Sequence, residues 1–448
     1  MTIEEILAGR QHAKDVNPSA DGKEICLAGF VTNTRIVSKK LKFVVLEDWT
    51  GEVQLTLKVG QTDQQYIDMV EALTNQSVLA VKGTVKKSDL FKKGAELVPS
   101  EMHVVSKSET PLPVDITGMT ESTLDTRLNW RFIDIRPYKR KMVFLLTSDF
   151  ERYTRDFFHK EGIVEIHTPK LLGAPSESGA ELFEFDYFGR PAYLAQSPQF
   201  YKQMAICSGM EKVFEVGPVF RAEKSLTYRH ATEFTSLDVE VSYINSIDDV
   251  INLEERWLVY AMGKIKEEWG DRIKEYYGRE VVVPKAPFPR ISMYEAYDVL
   301  DGLGFEIMKG DDLDSAAEKA LFKHMKEKTG SDFLFVTDYP VKVRPFYHMR
   351  GKDKHGHPIT HSYDLLYKGL EITTGAQREH RYDHLSKQAV EKGLSPENIQ
   401  FYLDFFRYGA PPHGGWGFGI TRMIMQLLDL ENIRESTLLP RDPNRLYP

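Results

Sequence analysis

Three segments of this 448-residue chain gather side chains suited to handling anions. The first is Phe220-Arg221-Ala222-Glu223-Lys224-Ser225-Leu226-Thr227-Tyr228-Arg229-His230-Ala231-Thr232-Glu233-Phe234, an apolar strand, a charged loop and a second apolar strand. Either it offers Arg221, Arg229 and His230 to an anion, or it is a solvated hairpin tip. Arg221 follows Val219 and Phe220 and reads as part of the strand, where a fork-shaped cation is costly unless it meets a carboxylate or phosphate. The second segment, Gly414-Gly415-Trp416-Gly417-Phe418-Gly419-Ile420-Thr421-Arg422, lets backbone approach a ligand just before a helix that starts near Ile420. The third is Asp364 and Glu371, with Thr374 and Arg378 following. Two carboxylates beside cations can hold Mg²⁺ on a polyphosphate, or they are plain surface acids.

These segments need a framework, and the hydropathy pattern supplies one. Short alternating runs at 24–31, 41–46, 52–57, 77–85 and 96–105 predict five strands, with a hairpin turn at Asp48-Trp49-Thr50-Gly51 and a helix over 64–73. That order fits a small Greek-key barrel of the OB type, a fold that commonly binds oligonucleotides. Residues 106–126 hold two prolines and many hydroxyls and read as a linker or hinge, so the expected domains are 1–105, the linker, and 127–448. In the last of these, a helix over 139–161, strands over 212–220, 233–243, 332–336 and 369–374, and helices over 247–265 and 383–392 predict an α+β domain on an antiparallel sheet.

A net charge of −8 and 42% hydrophobic residues describe a globular protein and argue against a surface that coats nucleic acid throughout. The two cysteines, Cys26 and Cys207, make no disulfide framework and point to a reducing cytosol. No run is long and apolar enough for a membrane span, and Glu4 and Glu5 stand where a signal peptide would be basic then apolar. His348, His355, His357 and His361 suggest a metal cluster on paper, but GKDKHGHPIT reads as a solvated turn. Met423 and Met425 read as core packing.

Taken in order, the three segments resemble the signature motifs of class II aminoacyl-tRNA synthetases, specifically the aspartyl-tRNA synthetases of archaeal and eukaryotic type, over nearly the whole chain. The resemblance implies an N-terminal OB-fold anticodon-binding domain and a class II catalytic domain, with Pro169 in the first motif serving a homodimer interface. It implies that Arg221 holds the α-phosphate of ATP and Glu223 the adenine amino group. His230 and Arg229 would take the outer phosphates, Phe234 and Arg422 would sandwich the adenine ring, and Gly419 would border the nucleotide. Glu371, Thr374 and Asp364 would hold Mg²⁺. The amino acid would meet Ser176 and Glu177 on a flexible loop, Gln199 and Lys202 in QSPQFYKQ, Asp238, Thr374 and Arg378. Glu177 would take the ammonium, and Lys202 with Arg378 would clamp the side-chain carboxylate. Asp238 reads equally as a buried partner for Lys202 or Arg378.

The implied chemistry is a cytoplasmic, ATP-dependent attachment of L-aspartate to tRNA(Asp) through aspartyl-adenylate, with tRNA(Asn) an open second acceptor and neither membrane nor DNA as a partner. An α-carboxylate with a pKa near about 3.5 is already ionised at neutral pH, so the first step needs no base. Arg221, Arg422 and Glu371 with its metal would act on the developing charge. A donor pair built for a carboxylate rejects asparagine's carboxamide by roughly 10⁴ to 10⁵. Arg35, Phe43 and Gln54 match anticodon-reading positions, although Phe43 in an alternating run also reads as barrel core. Thr32 and the stretch Ser88 to Lys93 fall where anticodon range is set. Two alternatives stand beside this reading: an asparaginyl-tRNA synthetase, and a non-catalytic RNA-binding paralogue.

Overall fold

The computed structural model describes residues 1–89, 91, 94–120, 122–174, 182–224 and 227–448, which form two compact units, Met1–Lys141 and Met142–Pro448. In the first unit, β1 (Glu24–Ser38), β2 (Leu41–Asp48), β3 (Gly51–Lys58), β4 (Val78–Lys87) and β5 (Ala95–Ser106) close a barrel in the order β1-β2-β3-β5-β4. The helix Gln64–Ala72 lies between β3 and β4, capped by the Asp63 side chain on the Gln65 N–H. Alternation fills the barrel with Leu27, Val31, Val44, Leu46, Leu55 and Val81. β1 runs seven residues beyond its expected end, because its second half pairs with β2 through Arg35↔Phe43.

The unit boundary falls at Lys141/Met142 and not at the expected 126/127. Residues 106–141 pack on the barrel through specific contacts: Thr74 Oγ1 donates to Ser108 O at 2.7 Å, and Arg136 lies 4.4 Å from the Phe30 ring. Lys141 Nζ donates to Glu47 Oε1 at 3.0 Å. Asp134, fully buried, accepts from Arg127, Arg131 and Arg140, so arginines that look solvated in sequence converge on one carboxylate.

The second unit opens its sheets with β6 (Val164–Glu165), then a three-stranded sheet of β7 (Leu171–Leu172), β8 (Glu184–Asp186) and β9 (Pro191–Leu194). Its main sheet adds β10 (Lys212–Phe220), β11 (Glu233–Ser242), β12 (Arg290–Ser292) and β13 (Phe333–Thr337). After the ribbon of β14 (Arg350–Lys352) and β15 (Pro358–Thr360) come β16 (Ser362–Tyr367), β17 (Leu370–Gln377) and β18 (His413–Gly419). The eight strands run in the order β12-β13-β16-β17-β18-β11-β10-β6. All neighbours from β13 to β10 are antiparallel, the sheet expected for the α+β domain, and parallel edge pairs β12/β13 and β10/β6 are added to it. Helix Ile247–Tyr277 packs Trp257 and Met262 behind the sheet and runs well past the expected end at 265, to an αL cap at Gly278. Among the described residues no helix is long and apolar enough to cross a membrane.

Candidate active site

β11 and β18 are joined by the register Asp238↔Gly417, and β18 and β17 by Thr374↔Gly417, which sets the three signature segments side by side on one face. Gly415 allows this approach: a Cβ there would collide with the Val239 carbonyl and the Glu240 side chain. Above these strands lies a cavity of about 260 Å³. Of the expected ligands it is lined by Arg221, Glu223, Arg229, His230, Phe234, Gln199, Asp238, Glu371, Thr374, Arg378, Gly419 and Arg422.

Arg221 is the first residue after β10 and is exposed, not inside the strand as expected; its N–H donates to Thr232 O at 2.9 Å, closing the hairpin base. Its guanidinium lies 5.4 Å from the Phe234 ring. Burial, then the like charges of Arg422, Arg229 and Arg221, push His230 down to about 4, so its imidazole is neutral at pH 7. It meets Thr227 Oγ1 at 2.9 Å through Nδ1.

Three arginine–carboxylate pairs surround the polar end. Arg422 Nη1 donates to Glu371 O at 3.0 Å and to Oε2 at 3.3 Å, and Thr374 Oγ1 donates to Oε1 at 2.9 Å. Burial opposes ionisation of Glu371, yet Arg422 and the Thr374 hydroxyl hold it below the usual carboxylate range. Asp364 sits behind Arg344, which donates to its Oδ2 at 2.6 Å, so it is paired and does not line the cavity. Its Oδ1 is buried with no hydrogen-bond partner among the described residues, and burial raises the group despite Arg344. Arg229 Nη1 meets Glu318 Oε2 at 2.8 Å; burial and the charge of Glu371 outweigh that arginine and push Glu318 up to about 8.

Around Lys202 the charges are compensated internally. Lys202, 2% exposed and outside the cavity lining, donates from Nζ to Asp238 Oδ1 at 3.0 Å and Trp416 O at 3.1 Å, and lies 3.3 Å from Glu240 Oε2. The reading of Asp238 as its buried partner therefore describes what is seen. Arg378 gives its fork to Glu240, Nε to Oε1 at 2.9 Å and Nη2 to Oε2 at 3.3 Å, with a further Nη2 bond to Gly415 O at 3.0 Å. Nη1 meets His348 Nε2 at 3.1 Å, which leaves one Nη1 hydrogen for a ligand. The bidentate partner of Arg378 is thus Glu240, and the free-standing Lys202/Arg378 clamp expected from sequence is replaced by a buried Lys202–Glu240–Arg378 bridge.

Sequence reasoning missed Glu240, Glu318, Arg344 and Tyr347, and it placed His348 in a solvated loop. His348 is instead buried against Arg378 and lines the cavity, while His355 is exposed on the ribbon turn. No motif marks these residues: strand register places Glu240, the helix Ser315–Thr329 supplies Glu318, and the segment after β13 supplies Arg344, Tyr347 and His348. Ser176 and Glu177 lie outside the described residues, as do parts of the Ser88 to Lys93 stretch. Pro169 is exposed between Thr168 and Lys170, both of which are tied to the buried Glu215.

In the first unit, Arg35, Phe43 and Gln54 share one barrel face. The Arg35 guanidinium lies 5.9 Å from the Phe43 ring, and Gln54 Nε2 donates to Glu96 Oε2 at 3.1 Å. Phe43 is half-buried and absent from the barrel core, which Val44 and Leu46 occupy from the other side of β2, so the core reading of Phe43 fails.

Comparison with known proteins adds independent support. Residues 123–443 match the family model of class II tRNA synthetases (D, K and N), and residues 25–105 match that of the OB-fold nucleic acid binding domain. The chain is 43% identical to the aspartate–tRNA(Asp) ligase of Pyrococcus abyssi, over 98% of this chain and 99% of that one. It is 43% identical to the aspartate–tRNA(Asp/Asn) ligase of Methanopyrus kandleri, with the same coverage. Among solved structures, the asparaginyl-tRNA synthetase of Pyrococcus horikoshii complexed with asparaginyl-adenylate superposes with a TM-score of 0.91 at 32% identity, covering 98% of this chain and 99% of that one.

Proposed function

The chain belongs to the class II tRNA synthetases of the D, K and N group, and from that premise we propose that it joins L-aspartate to tRNA(Asp) in two ATP-dependent steps. The observation that carries this reading is that one cavity holds both the phosphate-type cations Arg221, Arg229 and Arg422 around Phe234 and the amino-acid groups Gln199, Asp238 and Arg378.

In the first step an α-carboxylate oxygen bonds to the α-phosphorus of ATP, and the bond to the bridging oxygen breaks to release pyrophosphate. Arg221 neutralises charge on the α-phosphate, Arg422 packs on the adenine, and Arg229 with neutral His230 receives the outer phosphates as hydrogen-bond donors. Mg²⁺ would be held by Glu371, an ionised hard oxygen donor on the cavity wall with the Thr374 hydroxyl beside it, whereas Asp364 lies behind Arg344 and outside the lining. When bound, the ion supplies neutralisation of the polyphosphate. In the second step the terminal 3′-hydroxyl of tRNA attacks the mixed anhydride and AMP leaves. Ser176 and Glu177 complete the amino-acid site, with Glu177 on the ammonium.

The remaining Nη1 hydrogen of Arg378 takes one acceptor, and a carboxylate answers it with a charge-assisted bond from either oxygen, whereas a carboxamide offers one neutral oxygen and leaves its NH₂ without an acceptor on Arg378. Residues 1–105 read the anticodon through Arg35, Phe43 and Gln54, residues 127–448 carry the chemistry, and residues 106–126 join them. Two copies associate through the Pro169 segment in the cytoplasm. Pyrophosphate exchange is expected with aspartate and to be roughly 10- to 100-fold weaker with asparagine, the worth of one charge-assisted hydrogen bond; equal exchange overturns the assignment. Charging purified tRNA(Asp) and tRNA(Asn) with labelled aspartate reads the acceptor range.

A further inference from the structure

Behind Gln199 lies a buried polar chain that begins at Gln203, the last residue of QSPQFYKQ. Gln199 and Gln203 stand one turn apart on the helix Gln199–Cys207, and Tyr402 and His413 approach from elsewhere in the second unit. Gln203, Tyr402 and His413 are fully buried. His413 Nδ1 lies 2.8 Å from Pro411 O, and a carbonyl oxygen only accepts, so Nδ1 carries the proton. Burial holds this histidine neutral at pH 7, which makes Nε2 an acceptor. At 2.9 Å from it, Gln203 must present its NH₂, because its oxygen would set two lone pairs face to face. Gln203 Oε1 then accepts from the Tyr402 hydroxyl at 2.9 Å and from Gln199 Nε2, also at 2.9 Å. Gln199, whose NH₂ is thereby committed to Gln203, lines the cavity.

We propose that His413, Gln203 and Tyr402 are positioning residues that fix the amide of Gln199 with its oxygen facing the amino-acid site, as an acceptor for the substrate ammonium. The inference rests on the aspartate-activating reading. At neutral pH the ammonium is the only N–H donor on aspartate, both carboxylates being acceptors. Reversing the Gln199 amide would aim an NH₂ at that cation. A chain in which every buried polar group is paired has one favoured orientation, and one proton on one imidazole nitrogen sets it.

The test uses the full-length enzyme in pyrophosphate exchange, with succinate, which keeps both carboxylates and lacks the amine, as a competitive inhibitor against aspartate. Gln203→Met removes the relay and is expected to raise the KM for aspartate about tenfold or more, with the KM for ATP and the succinate inhibition constant within about twofold of wild type. Tyr402→Phe, which keeps the ring stacked 4.1 Å from Phe200, guards against misfolding of the Met variant and should give a smaller aspartate-specific rise. Parallel loss of aspartate and succinate binding, or no change in either variant, overturns the relay. A wild-type enzyme with no aspartate-dependent exchange overturns instead the functional reading, and the relay with it.

Discussion

At the scale of single residues, exposure and pairing decide which substitutions touch chemistry and which touch folding. Arg221 is exposed, so Arg221→Ala should lower the kcat of aspartate-dependent pyrophosphate exchange by about 10² to 10³ while shifting the melting midpoint by no more than about 2 °C. Glu254 presents the opposite case. It is fully buried beneath the site, with no cation beside it among the described residues, and accepts from Tyr363 Oη at 2.6 Å and Thr373 Oγ1 at 2.7 Å. Burial outweighs these bonds and pushes its carboxyl up to about 7. Between pH 4.5 and 7 the folded chain therefore holds a proton that the unfolded chain has lost, and this contribution to stability disappears as the pH rises through that window. Glu254→Gln should remove about 3 kcal/mol of that loss, read as a smaller drop in unfolding free energy from urea melts between pH 5 and 7.5.

Elements explain why some of the site is legible in sequence and some is not. The Arg221 loop and the β18 glycines stand out because local composition reports them: charges crowd between apolar strands, and glycines recur before a helix. Glu240 gives no such signal. It continues the apolar run of β11, and its role appears only when the β11/β18 register sets it opposite Gly415 and beside Arg378. Arg344 and His348 come from an irregular segment after β13 that has no periodicity to read, and Lys202 looks like a free ligand until helix packing buries it against Asp238. The barrel was readable almost strand by strand because one face of each strand fills a core, whereas the contacts of residues 106–141 depend on side chains meeting across long sequence separations. The glycine spacing of β18 itself makes a contrast. Gly415→Ala drives a Cβ into Val239 O and should destabilise by more than about 3 kcal/mol in urea unfolding. Gly417→Ala meets nothing closer than Asp238 Oδ1 at 3.3 Å and should fold normally, yet raise the KM for substrate severalfold because its methyl enters the cavity.

For the whole molecule, division into two units predicts separable defects. Phe43→Ala is expected to raise the KM for tRNA by about tenfold or more, through lost stacking, and to leave tRNA-independent exchange of aspartate and ATP unchanged. A matching loss in exchange would refute that division of labour. Substitution of Pro169 by Asp should shift the sedimentation coefficient from dimer toward monomer, since it places a charge on an exposed segment whose flanks Glu215 holds rigid. The bridge between Arg378 and Glu240 carries its own historical consequence. Exchanging Glu240 alone strands the buried Arg378 guanidinium at about 3 to 5 kcal/mol, whereas Glu240 keeps Lys202 if Arg378 is lost, so the carboxylate is the member through which drift is nearly closed. New amino-acid preferences in descendants of this chain would have to arise at neighbouring positions, around a carboxylate that stays where it is.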